Sequence, residues 1–303
     1  MSSMQATLAA APSPELMTQV VVSGVVMGCI FALVAIGFNL VFSATGVINF
    51  AQGDFLILGG FVFYTATVTL SWSLLPSVGL AVLAVAAMAA FVQFGLLRHS
   101  RGEGVIGRDA VTLGVSILIV AISSFIWGVD PLPVQPTTAG GPVEIGWLVV
   151  SRQQLWIVGV TTLAVLVLHL FFKKTNAGIA VRATAMNKHA AMGVGVSVDR
   201  VALTSWVVAG ALGALAGLLV TPLTGVSYAA GFLFTLSGFA AAILGGMGSM
   251  LGAVLGGLLL GVMQSLSAAF IAADFRDAAP MIVLLLVFAL RPQGILGKLV
   301  SRA

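Results

Sequence analysis

Runs of about 20 apolar residues recur along nearly the whole chain, and they constrain its fold more than any other feature. A helix of that length crosses the hydrocarbon core of a bilayer, and a backbone in lipid must satisfy its own hydrogen bonds, which favours helices. Only 7% of the residues are charged, against roughly a quarter in soluble domains. The sequence therefore predicts an all-α fold, a polytopic transmembrane helical bundle of about eight to nine segments forming a single domain over residues 1–303. The runs fall at about 17–42, 47–68, 74–97, 110–128, 154–172, 201–222, 232–250, 251–272 and 279–291.

Basic residues concentrate in three segments outside the apolar runs. These are the clusters Arg98, Arg101 and Arg108; Lys173, Lys174, Arg182, Lys188 and Arg200; and Arg291, Lys298 and Arg302. Because Lys and Arg accumulate in cytoplasmic loops, we place all three clusters and the C-terminus in the cytoplasm, and the N-terminus outside. Segment 129–153, with Asp130, Glu144 and four prolines, is predicted to be an extracytoplasmic loop. The excess of Lys and Arg over Asp and Glu thus reflects the orientation of the chain in the membrane. We expect no nucleic-acid partner.

Three polar side chains interrupt the second apolar run. The stretch GVINFAQGDFLILGGFVFY carries Asn49, Gln52 and Asp54, and a buried aspartate at bilayer depth costs roughly 2.5–3.5 kcal/mol on insertion scales. Three hypotheses remain open. The amides cap a helix break after Gly46 while Asp54 pairs with a loop arginine, or all three line a translocation path, or Asp54 couples transport to protons. Asp54 would also suit the positive N-terminal end of a helix that begins there.

Glycines are spaced one helical turn apart near the C-terminal end. Gly252 and Gly256 form one such pair, and Gly257 and Gly261 form the next. Small residues at this spacing let helices approach closely in lipid. We interpret both pairs as helix packing within the chain, with a dimer interface or a moving joint as the alternative.

Sequence motifs for catalysis are absent. The chain has no GxxxxGK[ST] phosphate loop, no HExxH and no GxSxG, and its single cysteine excludes a Cys-rich metal centre. We therefore predict no catalytic residues, no metal site and no cofactor in this chain.

Four segments, in one order from about Leu16 to Lys298, resemble a known family. They are GVINFAQGDFLILGGF; GIAVRATAMNKHAAMGVGVSVDRV followed by GALGALAGLLV; GFAAAILGGMGSMLGAVLGGLLLGV; and RPQGILGK. In these segments the chain resembles the LivH-like permease subunits of ABC importers, which carry branched-chain amino acids or related solutes such as urea and short amides.

The resemblance implies a division of labour among several chains. This chain would be the transmembrane permease subunit of a bacterial inner-membrane importer that works by alternating access. A second LivM-like permease chain, two cytoplasmic ATPase subunits that bind ATP-Mg, and a periplasmic substrate-binding protein would complete it. An ion-coupled secondary transporter or a channel acting alone is the alternative function, and a membrane anchor or scaffold is a third.

The basic loop at 173–200 is the predicted coupling element. Its composition predicts a short helix over 179–191, and a basic loop held by anionic lipid is the simpler interpretation. By resemblance, the loop fits a groove on an ATPase subunit through Gly178, Arg182, Ala183, Ala191 and Gly195.

Overall fold

The computed structural model describes residues 13–136, 140–146, 148–291 and 293–296. Residues 1–12 and the predicted basic residues Lys298 and Arg302 lie outside this part. The elements are α1 Pro14–Thr45, α2 Gln52–Tyr64, α3 Leu74–Phe91, α4 Gly104–Trp127, β1 Val143–Ile145, β2 Leu148–Val150, α5 Arg152–Lys174, α6 Asn176–Met186, α7 Lys188–Gly193, α8 Val198–Thr224, α9 Ala230–Gly245, α10 Met250–Phe270 and α11 Phe275–Leu290. π-Helical turns extend α2 over Thr65–Thr69 and α3 over Val92–Leu97, and a 3-10 helix covers His99–Glu103.

The described elements confirm the predicted all-α bundle, apart from the short antiparallel hairpin formed by β1 and β2. Six helices are long and apolar enough to cross a membrane, and α9 is apolar but shorter. The count of eight to nine segments therefore stays a prediction. The six are Pro14–Thr45, Leu74–Leu97, Gly104–Trp127, Arg152–Lys174, Val198–Thr224 and Met250–Phe270.

Local sequence signals fix where the long helices begin and end. The Ser13 hydroxyl accepts the Leu16 N–H at the start of α1, and Gly46 ends that helix in the left-handed conformation, with φ 71°. At the start of α5, Ser151 and Gln154 form a reciprocal capping box. These caps satisfy backbone groups that helix ends otherwise leave unpaired.

Helix α1 lies at the centre of the bundle, where α8, α9 and α10 pack against it, α2 is buried beside α8 and α9, and α4 and α5 lie further out. Most of α1 from Gly24 onward is buried, whereas α4 and α5 expose many large apolar side chains. A surface of this kind is suited to lipid, because in water such extensive apolar exposure is rare.

The two glycine pairs of α10 face two different neighbours within the chain. A Cβ on Gly257 would lie 2.5 Å from the Ala32 nitrogen of α1, and Gly261 meets the α1 backbone one turn away. Gly252 and Gly256 instead meet the backbone of α9. The second pair begins one residue after the first pair ends, so the two pairs lie on different faces of α10. This helix therefore packs tightly between α1 and α9.

The three basic clusters, as far as the structure describes them, gather at one end of the bundle, which we call the basic end, whereas Arg152 and Arg276 lie towards the other end. Three neighbouring cavities there are lined by residues including Thr45, Arg98, Arg108, Lys173, Arg182, Lys188 and Arg200. At the opposite end, Leu132 pairs with Val226 in an antiparallel bridge, and Gln19 at the start of α1 donates to the Val149 carbonyl of the hairpin. The described parts of segment 129–153 thus lie at the end opposite the basic clusters, and their position outside the cytoplasm stays a prediction.

Candidate functional site

The connection between α1 and α2, residues 46–51, is non-helical backbone inside the bundle. Such backbone is tolerated in a membrane protein only where protein covers it or water reaches it. Here side-chain oxygens accept its N–H groups, so the cost of unpaired buried donors is avoided. The pairs are Val47 with Thr45 (3.2 Å), Ile48 with Asp109 (2.9 Å), Phe50 with Thr112 (3.1 Å), Ala51 with Asn49 (3.1 Å) and, in the first turn of α2, Gly53 with Thr235 (3.0 Å).

Asn49 and Gln52 bond to each other across this break. The Asn49 Nδ2 donates to Gln52 Oε1 at 3.0 Å, and Gln52 Nε2 donates to the Ala209 carbonyl of α8 at 3.0 Å. Neither side chain has any exposed surface. Their amides thus hold the break in shape and tie it to α8, as the capping hypothesis predicts.

Asp54 is the third residue of α2 and is 1% exposed. Its carboxyl faces Ser116 of α4 and the backbone of Gly231, the second residue of α9. The carboxyl therefore lies at the N-terminal ends of both α2 and α9, where the helix dipoles favour negative charge. Among the arginines whose side chains the structure describes, none pairs with it, so the arginine of the capping hypothesis stays a prediction, while the expected position at a helix N-terminus agrees with the start of α2.

Sequence reasoning missed the side chains that clamp the break from other helices. Asp109 and Thr112 of α4 and Thr235 of α9 accept three of its backbone donors. Thr112 also donates to the Ile48 carbonyl at 3.0 Å. The one available signal was Asp109, an ionisable residue directly before the apolar run at 110–128.

The predicted coupling loop contains two short helices rather than one over 179–191. The Thr175 hydroxyl caps α6 by accepting the Gly178 N–H at 3.0 Å, and the Asn187 side chain caps α7 by accepting the Ala190 N–H at 2.9 Å. Asn187 is extended, with φ −155° and ψ 107°, and it separates the helices. An Asn at this place favours a helix start over a helix interior, which explains the break.

The five predicted coupling residues divide between a buried and an exposed side of this segment. Gly178 and Ala191 are buried, and a Cβ on Gly178 would collide with the backbone at the end of α5. Ala183 is half-buried, while Arg182 and Gly195 are exposed. Gly195 has φ 84°, a conformation that other residues adopt only with strain.

Apolar side chains also project from the exposed side of the segment. Met186 is 89% exposed and Val194 is 80% exposed. Both stand in the segment that carries Arg182 and Lys188. An exposed apolar patch rimmed by charge is typical of a protein–protein contact.

The described residues contain no group of three or more His, Cys, Asp or Glu side chains that would hold a metal ion.

Comparisons with known proteins agree with this architecture. Residues 20–290 match the family described as the permease component of the branched-chain amino acid transport system. The chain is 32% identical over 297 residues to the permease protein LivH of the high-affinity branched-chain amino acid transport system of Salmonella typhimurium, covering 91% of this chain and 94% of LivH. It is 32% identical over 293 residues to BraD of Pseudomonas aeruginosa, a permease protein with the same description, covering 92% and 95%. Its fold is similar to a chain of PsaBC from Streptococcus pneumoniae, solved in complex with a Fab, with a TM-score of 0.54 at 14% identity over 96% of both chains. The resemblance seen in the sequence is confirmed, and the chain belongs to the family of branched-chain amino acid transport permeases.

Proposed function

We propose that this chain is the transmembrane permease subunit of a bacterial ABC importer that moves branched-chain amino acids inward by alternating access. Its family membership and its similarity to LivH and BraD support this function. The chain itself is non-catalytic, and ATP-Mg binds to two separate ATPase subunits. A second, LivM-like permease and a periplasmic substrate-binding protein complete the transporter.

The observation that carries this proposal is the two-sided structure of residues 175–197. Gly178 fixes α6 against the end of α5, and Val181 of α6 packs with Ala44 of α1 and Val201 of α8. The opposite side presents Met186 and other exposed groups. A segment held by three long helices and exposed on its far side is suited to pass a rigid-body movement from a docked ATPase into the bundle.

Asn49, Gln52 and Asp54 have a structural role in this proposal. The amides are fully buried and bonded within the chain, which supports a role in holding the α1–α2 break rather than in contacting substrate. A broken helix of this kind gives the bundle a joint at which α2 moves against α1 without losing backbone hydrogen bonds.

The basic end faces the cytoplasm in our proposal, because positive residues accumulate on that side of the membrane. The chain then lies in the inner membrane with its N-terminus outside and its C-terminus inside. The hairpin and the Leu132–Val226 bridge face the periplasm, where a binding protein docks.

Family membership does not favour the ion-coupled alternative. Competition for uptake tests the substrate. In vesicles that contain the chain with its partners, labelled leucine should accumulate, and excess isoleucine and valine should abolish the signal. Urea and acetamide at the same concentration should leave it unchanged. Inhibition by urea or acetamide instead would replace the proposed substrate class.

A further inference from the structure

A cavity of about 470 Å³ lies at the basic end, between α1, α5, α6 and the turn that joins α9 to α10. The role of the α6–α7 segment in coupling does not account for this cavity. Its lining combines three basic side chains with apolar walls and one buried amide.

The basic side chains come from two helices that are held in a fixed relation. His169 and Lys173 stand four residues apart on α5, so they share one face of that helix. Arg182 reaches the cavity from α6, and the close approach at Gly178 fixes α6 against the end of α5. None of the lining residues is acidic. The cavity therefore favours an anion, which Lys173 and Arg182 attract by charge and His169 binds through a ring N–H.

The other walls are apolar and belong to the bundle itself. Ile36 and Leu40 of α1 and Phe172 of α5 line the cavity. A small inorganic anion gains nothing from such walls, whereas the methylene groups of an acyl chain are stabilised by burial against them. The combination of basic groups and apolar walls at a helix end is suited to a lipid whose head group is negatively charged.

A buried amide in the lining lacks one hydrogen-bond partner. Asn39 is 3% exposed, and its Nδ2 donates to the carbonyl oxygens of Gly246 at 3.4 Å and Ser249 at 2.9 Å. Its Oδ1 has almost no accessible surface and accepts no hydrogen bond from the described residues. The amide thus holds the turn between α9 and α10 against α1 and closes this wall of the cavity, so the basic groups and the apolar walls select the ligand.

We propose that this cavity binds an anionic glycerophospholipid, such as phosphatidylglycerol. Lys173 and Arg182 bind the phosphate, and His169 donates a further hydrogen bond. An acyl chain lies along Ile36 and Leu40. The bound lipid would join α5 and α6 to α1. This inference needs only that the chain spans a membrane, and it does not depend on the proposed substrate or on ATPase docking.

The test is a binding titration with the full-length chain, purified together with whichever subunits remain associated with it. A short-chain fluorescent phosphatidylglycerol is the probe, and unlabelled phosphatidylglycerol, phosphatidylcholine and inorganic phosphate are the competitors. We expect saturable binding that only phosphatidylglycerol displaces. Lys173→Gln should weaken binding about tenfold, equivalent to about 1.4 kcal/mol. Lys174→Gln, which removes an adjacent exposed charge outside the cavity, should change it less than about twofold.

Each contrary result overturns the proposal in a distinct way. Equal displacement by phosphatidylcholine would show ordinary annular lipid, and equal displacement by phosphate would show a site for a free anion. Absence of saturable binding would show that the cavity takes no such lipid. Equal affinities of Lys173→Gln and Lys174→Gln would show that the lipid binds outside the cavity. Both lysines are exposed, and His169→Ala at a third exposed position provides a second variant that should also weaken binding.

Discussion

The side chains of Asn49 and Gln52 form a buried relay across the break between α1 and α2. Asn49 Nδ2 donates to Gln52 Oε1 at 3.0 Å, and Gln52 Nε2 donates to the Ala209 carbonyl of α8, also at 3.0 Å. The pair thus links the break to a helix 157 residues further along the chain. Neither amide is available to a solute in this arrangement, because both are fully buried.

Replacing Gln52 by Leu should destabilise the chain. The change leaves the Asn49 Nδ2 without its acceptor and removes the bond from Gln52 to the Ala209 carbonyl of α8, and an unpaired buried donor costs about 1–3 kcal/mol. Thermal unfolding in detergent measures the loss. Gln19→Leu is the control, because this exposed residue makes a single bond, to the Val149 carbonyl. Equal melting temperatures for the two variants would contradict the structural role of the relay.

Replacing Gly231 by Ala should destabilise the contact between α2 and α9. The new methyl group collides with the Asp54 carboxyl, and overpacking of this kind costs about 1–3 kcal/mol. Asp54→Ala in the same chain should recover much of the loss, so the double-mutant cycle should give a coupling energy above about 0.5 kcal/mol. Gly114→Ala, where the new methyl group enters open space, should have little effect. Additive losses in the cycle would show that the two residues do not meet.

The glycine contact between α10 and α1 should be intolerant of any side chain. In Gly257→Ala the Cβ would lie 2.5 Å from the Ala32 nitrogen, so the helices must separate and lose the close packing that holds them together in lipid. We expect a loss of about 1–3 kcal/mol and lower yields of folded chain in size-exclusion chromatography. Gly159→Ala on α5, where the new methyl group meets nothing, is the matched control and should purify normally.

Displacing α6 from α5 should uncouple ATP hydrolysis without removing any exposed docking group. In Gly178→Ala the Cβ meets the backbone of Phe171 and Phe172, so α6 must shift. We expect stimulation of ATPase activity by the loaded binding protein to fall about tenfold, a change of about 1.4 kcal/mol in coupling.

Gly193→Ala in α7 is the control for that experiment, because its Cβ meets no neighbour, and it should keep full stimulation. Equal stimulation in both variants would show that coupling does not depend on the position of α6. The purified complex should contain both ATPase subunits in each case, which separates lost coupling from lost assembly.

The long helices could be predicted from the sequence because a single physical requirement determines them. A run such as 74–97 or 154–172 must be helical and apolar to cross a bilayer, and the structure agrees within a few residues at each end. A packing role for the glycine pairs of α10 could also be predicted, because small residues at i and i+4 let membrane helices approach each other closely.

The environment of the polar stretch could not be predicted, because its partners are remote in sequence. Asp109, Thr112 and Thr235 reach the break from helices about 60 and 180 residues away, and no local pattern pairs them with Ile48, Phe50 and Gly53. For the same reason the sequence leaves three roles open for Asp54, one of them pairing with a loop arginine. In the structure Asp54 lies between two helix N-termini, which only the packing of α9 against α2 brings together.

The energy source for transport distinguishes an ABC importer from an ion-coupled transporter. The chain is reconstituted in vesicles with its second permease, its ATPase subunits and the leucine-loaded binding protein, and uptake is measured with ATP present or removed and with ion gradients intact or dissipated. We expect uptake that requires ATP and survives dissipation of the gradients. Uptake that survives removal of ATP and collapses with an ion gradient would contradict this expectation.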